Sequence, residues 1–512
     1  MGFLASSLLA GIELRPPDFR AVEPNTLRDL LVARVCEPAV SFGTSDRNLT
    51  NIFGPGREMR KLSSPEHADA LVTRTERCMI PKLNEVQRPA GICEGSKKSH
   101  PGGNRHQGRR ESISYAVQFA SGASKSFGDG DPEFLIRVAD QDEWERLLHE
   151  DLYSAALAFV KGKVTITGDV VAAVRFYASH SHPSLQHRLT TAVAQYASGR
   201  LETWLQSKRK AAQNIHFHYD RSNDFYRQFL DSRMVYSCAY FEEEASSIEE
   251  AQLAKLEYIC RKLCLEDGDT FLDIGSGWGA LVIHAAGTHG AWATGCTLSS
   301  QQLRFAEERA IQYGLADRVS FFERDYRNMK GFFRKIASVG MFEHVGKQRL
   351  PEYFDKLYDL LDDDGLVLNH GITRPEPMRD GPETLFIRRR VFPGGELPNL
   401  SEVIRAAEDV GFEVLDAENL RRHYARTCRA WVERLQASEF LCLEHVDPET
   451  FRTWLLFLAA SAVKFEDGLL GLHQVLLSKR GRRREHPMTR DYMYASSAAQ
   501  NLKPDSASAQ PD

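Results

Sequence analysis

Apolar positions are spread very unevenly along this chain. From residue 13 to about 110, proline, glycine, arginine and serine interrupt the sequence without sustained periodicity, and the stretch ends in the polar run GSKKSHPGGNRHQGRR (95–110). Such a segment buries too little apolar surface to offset the entropy of ordering it, so residues 1–111 are expected to form a poorly ordered leader. A start codon placed too far upstream would look the same. From about 112 the pattern changes. Phe134-Leu135-Ile136-Arg137-Val138 reads as a strand, residues 143–159 have helical spacing, and 164–171 is strand-like before the apolar Ala172-Ala173-Val174-Arg175-Phe176. A small α/β domain is expected over 112–200, with a docking role assigned by position alone.

Residues 214–241 mix aromatic and polar groups in a way few purely structural helices do. Ser247-x-x-Glu250 then forms a capping box, and Leu256, Ile259, Cys260 and Leu263 recur at helical spacing. Beyond it, strands alternate with helices. The apolar run at 270–274 is followed by strands at 292–298, 319–325, 336–341 and 365–372, with helices at 299–313, closed by Gly314, and 350–361. Residues 412–415 and 473–479 are candidates for a reversed pair at the sheet edge. This order predicts a doubly wound, mostly parallel α/β sheet within 201–480. Residues 481–512, rich in arginine and then in Ser, Ala and Pro, read as a disordered tail. The apolar run 454–463 is too short to span a bilayer and reads as a core helix.

The chemistry is sought at the carboxyl ends of the strands, where ligands of such sheets sit. The first strand runs through Asp273 into Gly275-Ser276-Gly277-Trp278-Gly279. Glycines there let backbone approach a ligand beneath a helix N-terminus. The dinucleotide spacing G-x-G-x-x-G is not met, whereas D-x-G-x-G-x-G resembles the first motif of S-adenosylmethionine-dependent methyltransferases. The second strand end offers Thr297 and Gln302; Gln302 either replaces the usual acidic ribose ligand or completes a capping box with Ser299. The third offers Asp325-Tyr326, either an acceptor for an adenine amino group or a cap on the next turn. The fourth and fifth end at Glu343 and at His370, two ionisable groups above one glycine loop.

Composition narrows the field. The 512 residues carry a formal net charge of −5, which argues against a dedicated nucleic-acid binder. Nine scattered cysteines without a C-x-x-C pair fit reduced thiols, and no zinc-ligand cluster is legible, so no metal site is expected. The first twelve residues lack the basic region of a secretory signal. Gly2 and Ser6 match a short myristoylation pattern by chance more often than by function.

The motifs HYDRSNDFY (218–226), VYSCAYF (235–241), FLDIGSGWG (271–279), TLSSQQ (297–302), RDYR (324–327), SVGMFEHVG (338–346), LNHGI (368–372), FPGGELP (392–398) and HYARTCRAW (423–431) occur in order over about half the chain. Together they resemble the cyclopropane-fatty-acid-phospholipid synthase family, which includes the mycolic acid cyclopropane synthases. The resemblance implies a Rossmann-like class I methyltransferase with a seven-stranded sheet. It also implies methyl transfer from S-adenosylmethionine to a cis double bond of a phospholipid acyl chain, with bicarbonate taking the proton lost as the ring closes. By motif, bicarbonate would meet Cys238, Glu343, His370, Tyr424 and the backbone of Ile372. The cofactor would meet Tyr236, Ser237, Asp273, Gly275, Ser276, Gly277, Trp278, Gly279, Thr297, Gln302, Asp325 and Tyr326. Ser276 departs from the family's usual cysteine.

The implied partners are membrane phospholipid acyl chains, a transient membrane surface and a homodimer, with no nucleic acid; the implied location is cytoplasmic and peripheral to the membrane. Alternatives of the same fold would make methyl-branched lipids or N-methylate a small amine. A binding protein without catalysis is the alternative of a different class.

Overall fold

In the computed structural model, which describes residues 113–180, 223–375, 381–392, 396–481 and 486–494, the strands form two sheets. The smaller contains β1 (Tyr115–Phe119), β2 (Ser124–Phe127), β3 (Phe134–Val138) and β4 (Thr165–Gly168), in the order β2-β1-β3-β4. The larger contains β5 (Thr270–Ile274), β6 (Trp292–Thr297), β7 (Val319–Glu323), β8 (Phe333–Val339), β9 (Leu361–Thr373), β10 (Phe412–Asn419) and β11 (Gly471–Lys479). Its order is β10-β11-β9-β8-β5-β6-β7. The expected leader, the segments 181–222 and 376–380, part of FPGGELP and most of the tail lie outside the described residues.

Strands β5 to β9 pair in parallel, and helices cover both faces, which is why their sequences read as nearly continuous apolar runs. In β5, Phe271, Leu272, Asp273 and Ile274 are all buried. The expected reversed pair is a single reversed strand. β11 lies between β9 and β10 and is antiparallel to both, so β10 runs with the rest of the sheet. The insertion brings Gln474 opposite His370 and Leu472 opposite Ile372.

In the smaller sheet, β3 falls where the alternation placed it, but β1 and β2 were not legible; β2 is exposed along its whole length. The helix expected over 143–159 is two helices, Gln141–Leu148 and Leu152–Val160. The break has a local cause. The Asp151 carboxylate accepts from the Ser154 amide at 2.8 Å and starts a new helix.

Helices Leu152–Val160 and Val170–His180 pack on the long helix Pro448–Glu466, which also lies against Arg421–Ala437. The Arg452 guanidinium donates to the Val160 carbonyl at 2.8 Å, and Arg175 pairs with Glu466 and, at 2.9 Å, with Asp467. Val160 shares an apolar cluster with Phe386 and Val391, against which Phe392 and Phe457 pack. The small domain thereby backs the helices that enclose the second cavity described below. Among the described residues, no helix is long and apolar enough to cross a membrane.

Candidate active site

The glycine loop takes the shape its spacing implied. Gly275, Gly277 and Gly279 have φ of 81°, 52° and 81°, a region that side-chain-bearing residues rarely adopt. The loop is pinned to β6, since the amides of Gly275 and Ser276 both donate to the Cys296 carbonyl, at 3.0 and 2.9 Å. A Cβ on Gly279 would lie 2.8 Å from both Ala306 and Phe321, whereas one on Gly277 would meet nothing within 4 Å, because that glycine faces a cavity. Tyr236, Ser237, Asp273, Gly275, Ser276, Gly277, Trp278, Thr297, Gln302, Asp325 and Tyr326 all line this cavity; Gly279 does not, and its part is packing. Asp273 Oδ1 and Ser276 Oγ are buried without a hydrogen-bond partner, as expected of atoms awaiting a polar ligand. Burial pushes the Asp273 carboxyl up to about 7, against the opposing pull of Lys255.

Only half of the capping box at Gln302 forms. Ser299 caps the helix Ser300–Gln312 by accepting from the Gln302 amide, but the Gln302 side chain does not complete a capping box. Its Oε1 accepts from the Thr297 hydroxyl at 2.7 Å, on the cavity wall. Asp325 is turned onto its own turn. It accepts from the Arg327 amide at 3.0 Å and from the Arg327 guanidinium, with Nε at 2.8 Å. The capping alternative is therefore observed, and this pair shapes the cavity rim.

A second cavity adjoins the first, and Tyr236, Ser237, Gly340 and His344 line both. Its far walls are mostly apolar, with Ile387, Phe392, Leu397, Trp431, Phe457, Leu458, Phe465, Leu469 and Leu472, but Arg374, Arg388 and Lys464 line it too. The shared wall is held from behind by two polar residues that sequence reasoning passed over. Gln252 Nε2 donates to the Ser237 carbonyl at 2.9 Å, and Lys255 Nζ donates to the Ser237 hydroxyl at 2.9 Å. Both are buried on the inner face of helix Ile248–Lys262. The available signal was a lysine and a glutamine on the apolar stripe of a capped helix. Burial brings the Lys255 ammonium down to about 8, opposed by the charges of Asp231, Cys238 and Asp273.

The residues expected around the anion all line the second cavity: Cys238, Glu343, His370, Ile372 and Tyr424. Glu343 leaves the end of β8 on a short turn, and Gly371 makes room for that turn. A Cβ there would sit 2.1 Å from the ring of Phe342, the neighbour of Glu343. Glu343 Oε1 accepts from the Ile372 amide at 2.7 Å, while Oε2 is buried without a partner. Burial pushes this carboxyl up to about 7, offset in part by the Ile372 amide. His370 Nδ1 accepts from the side-chain amide of Gln474 at 3.0 Å. The ring proton is thereby assigned to Nε2, which is buried and unpartnered. Burial, helped by the charges of Lys255 and Lys262, lowers His370 to about 3, so the ring is neutral.

Two expectations are modified. The Ile372 amide is engaged by Glu343 and so orients the acid. The Cys238 thiol donates to the Ala239 carbonyl at 3.2 Å, with the Leu420 carbonyl at 3.9 Å, and burial holds its pKa well above the usual thiol range. Tyr424 lies with its ring 4.6 Å from Phe465 and 6.1 Å from Trp431. Among the described residues, helix packing gathers Cys260, His284 and His289 within ligand reach of one another, at a sequence spacing too long to read as a motif.

The family described as mycolic acid cyclopropane synthetase matches residues 206–475. A "probable fatty acid methyltransferase" of Pseudomonas putida is 40% identical over 371 residues, covering 71% of this chain and 92% of that protein. The structure of the cyclopropane synthase MmaA2 from Mycobacterium tuberculosis is 31% identical with a TM-score of 0.51, covering 54% of this chain and 99% of that one. A mycolic acid cyclopropane synthase solved in complex with SAH and CTAB is 32% identical with a TM-score of 0.50, covering 52% of this chain and 98% of that one. With the glycine loop and the paired cavities in place, the chain belongs to the mycolic acid cyclopropane synthetase family of S-adenosylmethionine-dependent methyltransferases.

Proposed function

We propose that this enzyme transfers a methyl group from S-adenosylmethionine to a cis double bond in a phospholipid acyl chain at a membrane surface and closes a cyclopropane ring, with bicarbonate as the base. The supporting observation is the junction of the two cavities. The cavity above the glycine loop shares Tyr236, Ser237, Gly340 and His344 with one walled largely by aliphatic and aromatic side chains. An alkene is a weak nucleophile, and such a junction lets remote apolar contacts hold it in line with a methyl donor.

When bound, S-adenosylmethionine supplies an electrophilic methyl, and the unpartnered Asp273 Oδ1 and Ser276 Oγ fit its polar groups. When bound, bicarbonate supplies a small base, and Glu343 Oε2 and His370 Nε2 fit it as acceptor and donor. The protein's own part then follows. His370 Nε2–H donates to the anion, its tautomer fixed by Gln474. Glu343, whose pKa burial raises to about 7, would accept at Oε2 from the hydroxyl of the bound anion and so take up, through it, the proton lost as the ring closes. Tyr236, whose ring lies 5.1 Å from Trp431 and 5.7 Å from Tyr226, belongs to an aromatic wall. That wall excludes water and stabilises positive charge on the acyl chain.

A second reading, transfer that leaves a methyl branch, is favoured by the Cys238 thiol being engaged by the Ala239 carbonyl. Expression in a host without cyclopropane lipids tests both. Mass spectrometry should find unsaturated chains heavier by one methylene, and proton NMR should show the upfield signals of a cis-cyclopropane. Added methylene without those signals would support the branched product. Methylated amines with unchanged lipids would sink both.

A further inference from the structure

Resting on the reading of the cavity above the glycine loop as the cofactor site, we propose that the Lys255 ammonium and the Ser237 hydroxyl together receive the carboxylate at the amino-acid end of S-adenosylmethionine. Lys255 lines that cavity and is only 2% exposed, on the same helix face as Gln252, three residues earlier. A complete capping box between Ser247 and Glu250 fixes the start of helix Ile248–Lys262, so both side chains come from a firmly anchored element. Gln252 holds the Ser237 carbonyl, and Lys255 Nζ donates to the Ser237 hydroxyl at 2.9 Å.

The direction of that last bond decides what the pair can bind. An ammonium only donates, so the Ser237 oxygen accepts from it and the hydroxyl proton must be given elsewhere. Lys255 has three N–H groups and gives one to Ser237. The other two and the polarised hydroxyl suit an anion in the cavity that both residues line. The complementary charge is in the same cavity, where Asp273 Oδ1 is buried without a hydrogen-bond partner and fits an ammonium. A cation and an acceptor in one cavity match the zwitterion of an amino acid. Place agrees with charge. Ser237 lines both cavities, so the pair stands at the end of the cofactor cavity nearest the acyl one, where the methionine part must lie if its methyl is to reach an alkene. Arg324 and Arg327 also line the cofactor cavity, but they follow β7 at the sheet edge, and Arg327 is committed to Asp325. The segment that carries Ser237 is set in advance. Asp231 accepts from the amides of Arg233 and Val235 at 3.0 and 2.8 Å, and Met234 between them takes a φ of 58°, a strained value for a residue with a side chain. Burial of the Lys255 ammonium is only partly offset by the charges of Asp231, Cys238 and Asp273, so an added anion stabilises it.

Calorimetry on the full chain tests this with two ligands, S-adenosylhomocysteine and its analogue without the carboxyl group. The unaltered chain should bind the first about 10–100-fold more tightly, the range for a hydrogen bond to a charged group. Lys255→Met should erase that preference, weakening S-adenosylhomocysteine by a similar factor and the analogue by less than about threefold, and Lys255→Arg should restore part of it. Lys255→Gln keeps a donor for Ser237 without the charge and should show the same ligand-selective loss, so the outcome does not hang on whether the methionine variant folds. Equal binding of both ligands by the unaltered chain, or a loss in the variants that is the same for both ligands, would overturn the assignment of Lys255 while leaving the cofactor site standing. Failure of the unaltered chain to bind S-adenosylhomocysteine at all would overturn the reading of the cavity and the assignment with it.

Discussion

Glu343 and Glu257 are both buried carboxylates beside histidines, and their surroundings drive them in opposite directions. Glu343 receives one backbone amide and leaves its other oxygen bare towards a cavity, so burial dominates and the acid sits near 7. For Glu257 burial acts the same way but is outweighed by hydrogen bonds from His284, His289 and Arg261, which hold it well below the usual carboxylate range. One environment withholds donors and makes a group that can exchange a proton at neutral pH. The other supplies donors and fixes a permanent anion. Burial alone therefore does not mark a candidate acid; burial with a bare oxygen in a ligand-sized space does.

The largest expected effect falls on the first carboxylate. Glu343→Gln should lower kcat by about 10²–10⁴-fold, the range for loss of a proton-transfer group, while the cofactor Kd measured by calorimetry moves little. The activity of the unaltered enzyme should rise with pH through about 7 as Glu343 ionises, and the variant should lose that limb. Parallel losses in kcat and Kd would reject the assigned role.

Next is the second carboxylate. Glu257→Gln should destabilise the fold at neutral pH by about 3 kcal/mol, since two histidines and an arginine lose their shared anion. The sign follows from the lowered pKa. The stabilisation is present above the unfolded value of ~4.3 and lost as pH falls through the folded one, so the gap between wild type and variant in denaturant melts should close in acid. A gap that instead widens in acid would break the contrast. The smallest effect is expected for Gln474→Leu, which frees the His370 tautomer; kcat should fall about tenfold with the cofactor Kd unchanged. No change in kcat would mean that the ring is oriented by something else.

The cofactor half of the site was almost fully legible in the sequence, because its determinants are local. Glycines at alternate positions, Ser299 and Asp325 each act within a few residues of themselves. The acyl half was legible only through resemblance. Cys238, Glu343, His370 and Tyr424 are brought together by strands and helices spread over nearly two hundred residues, and no periodicity announces that. The unread groups share one character. Gln252, Lys255 and Gln474 are polar residues on apolar faces, and their roles appear only when the neighbouring element is known. The contacts of Glu257 with His284 and His289 went unread for the same reason, and β2 because an exposed edge strand has no apolar pattern.

The position of β11 has a consequence for how the enzyme is made. This strand, Gly471–Lys479, must insert between β9 and β10, both synthesised earlier, and it carries the amide that sets the His370 ring. A nascent chain that has emerged as far as β10 has the glycine loop and most of the sheet but leaves β9 without its neighbour, an open edge prone to wrong pairing. On the ribosome, every residue lining the cavity above the glycine loop is thus in place before His370 has its ring partner, and a chain cut ahead of β11 keeps that cavity's lining while losing the contact that orients the His370 ring.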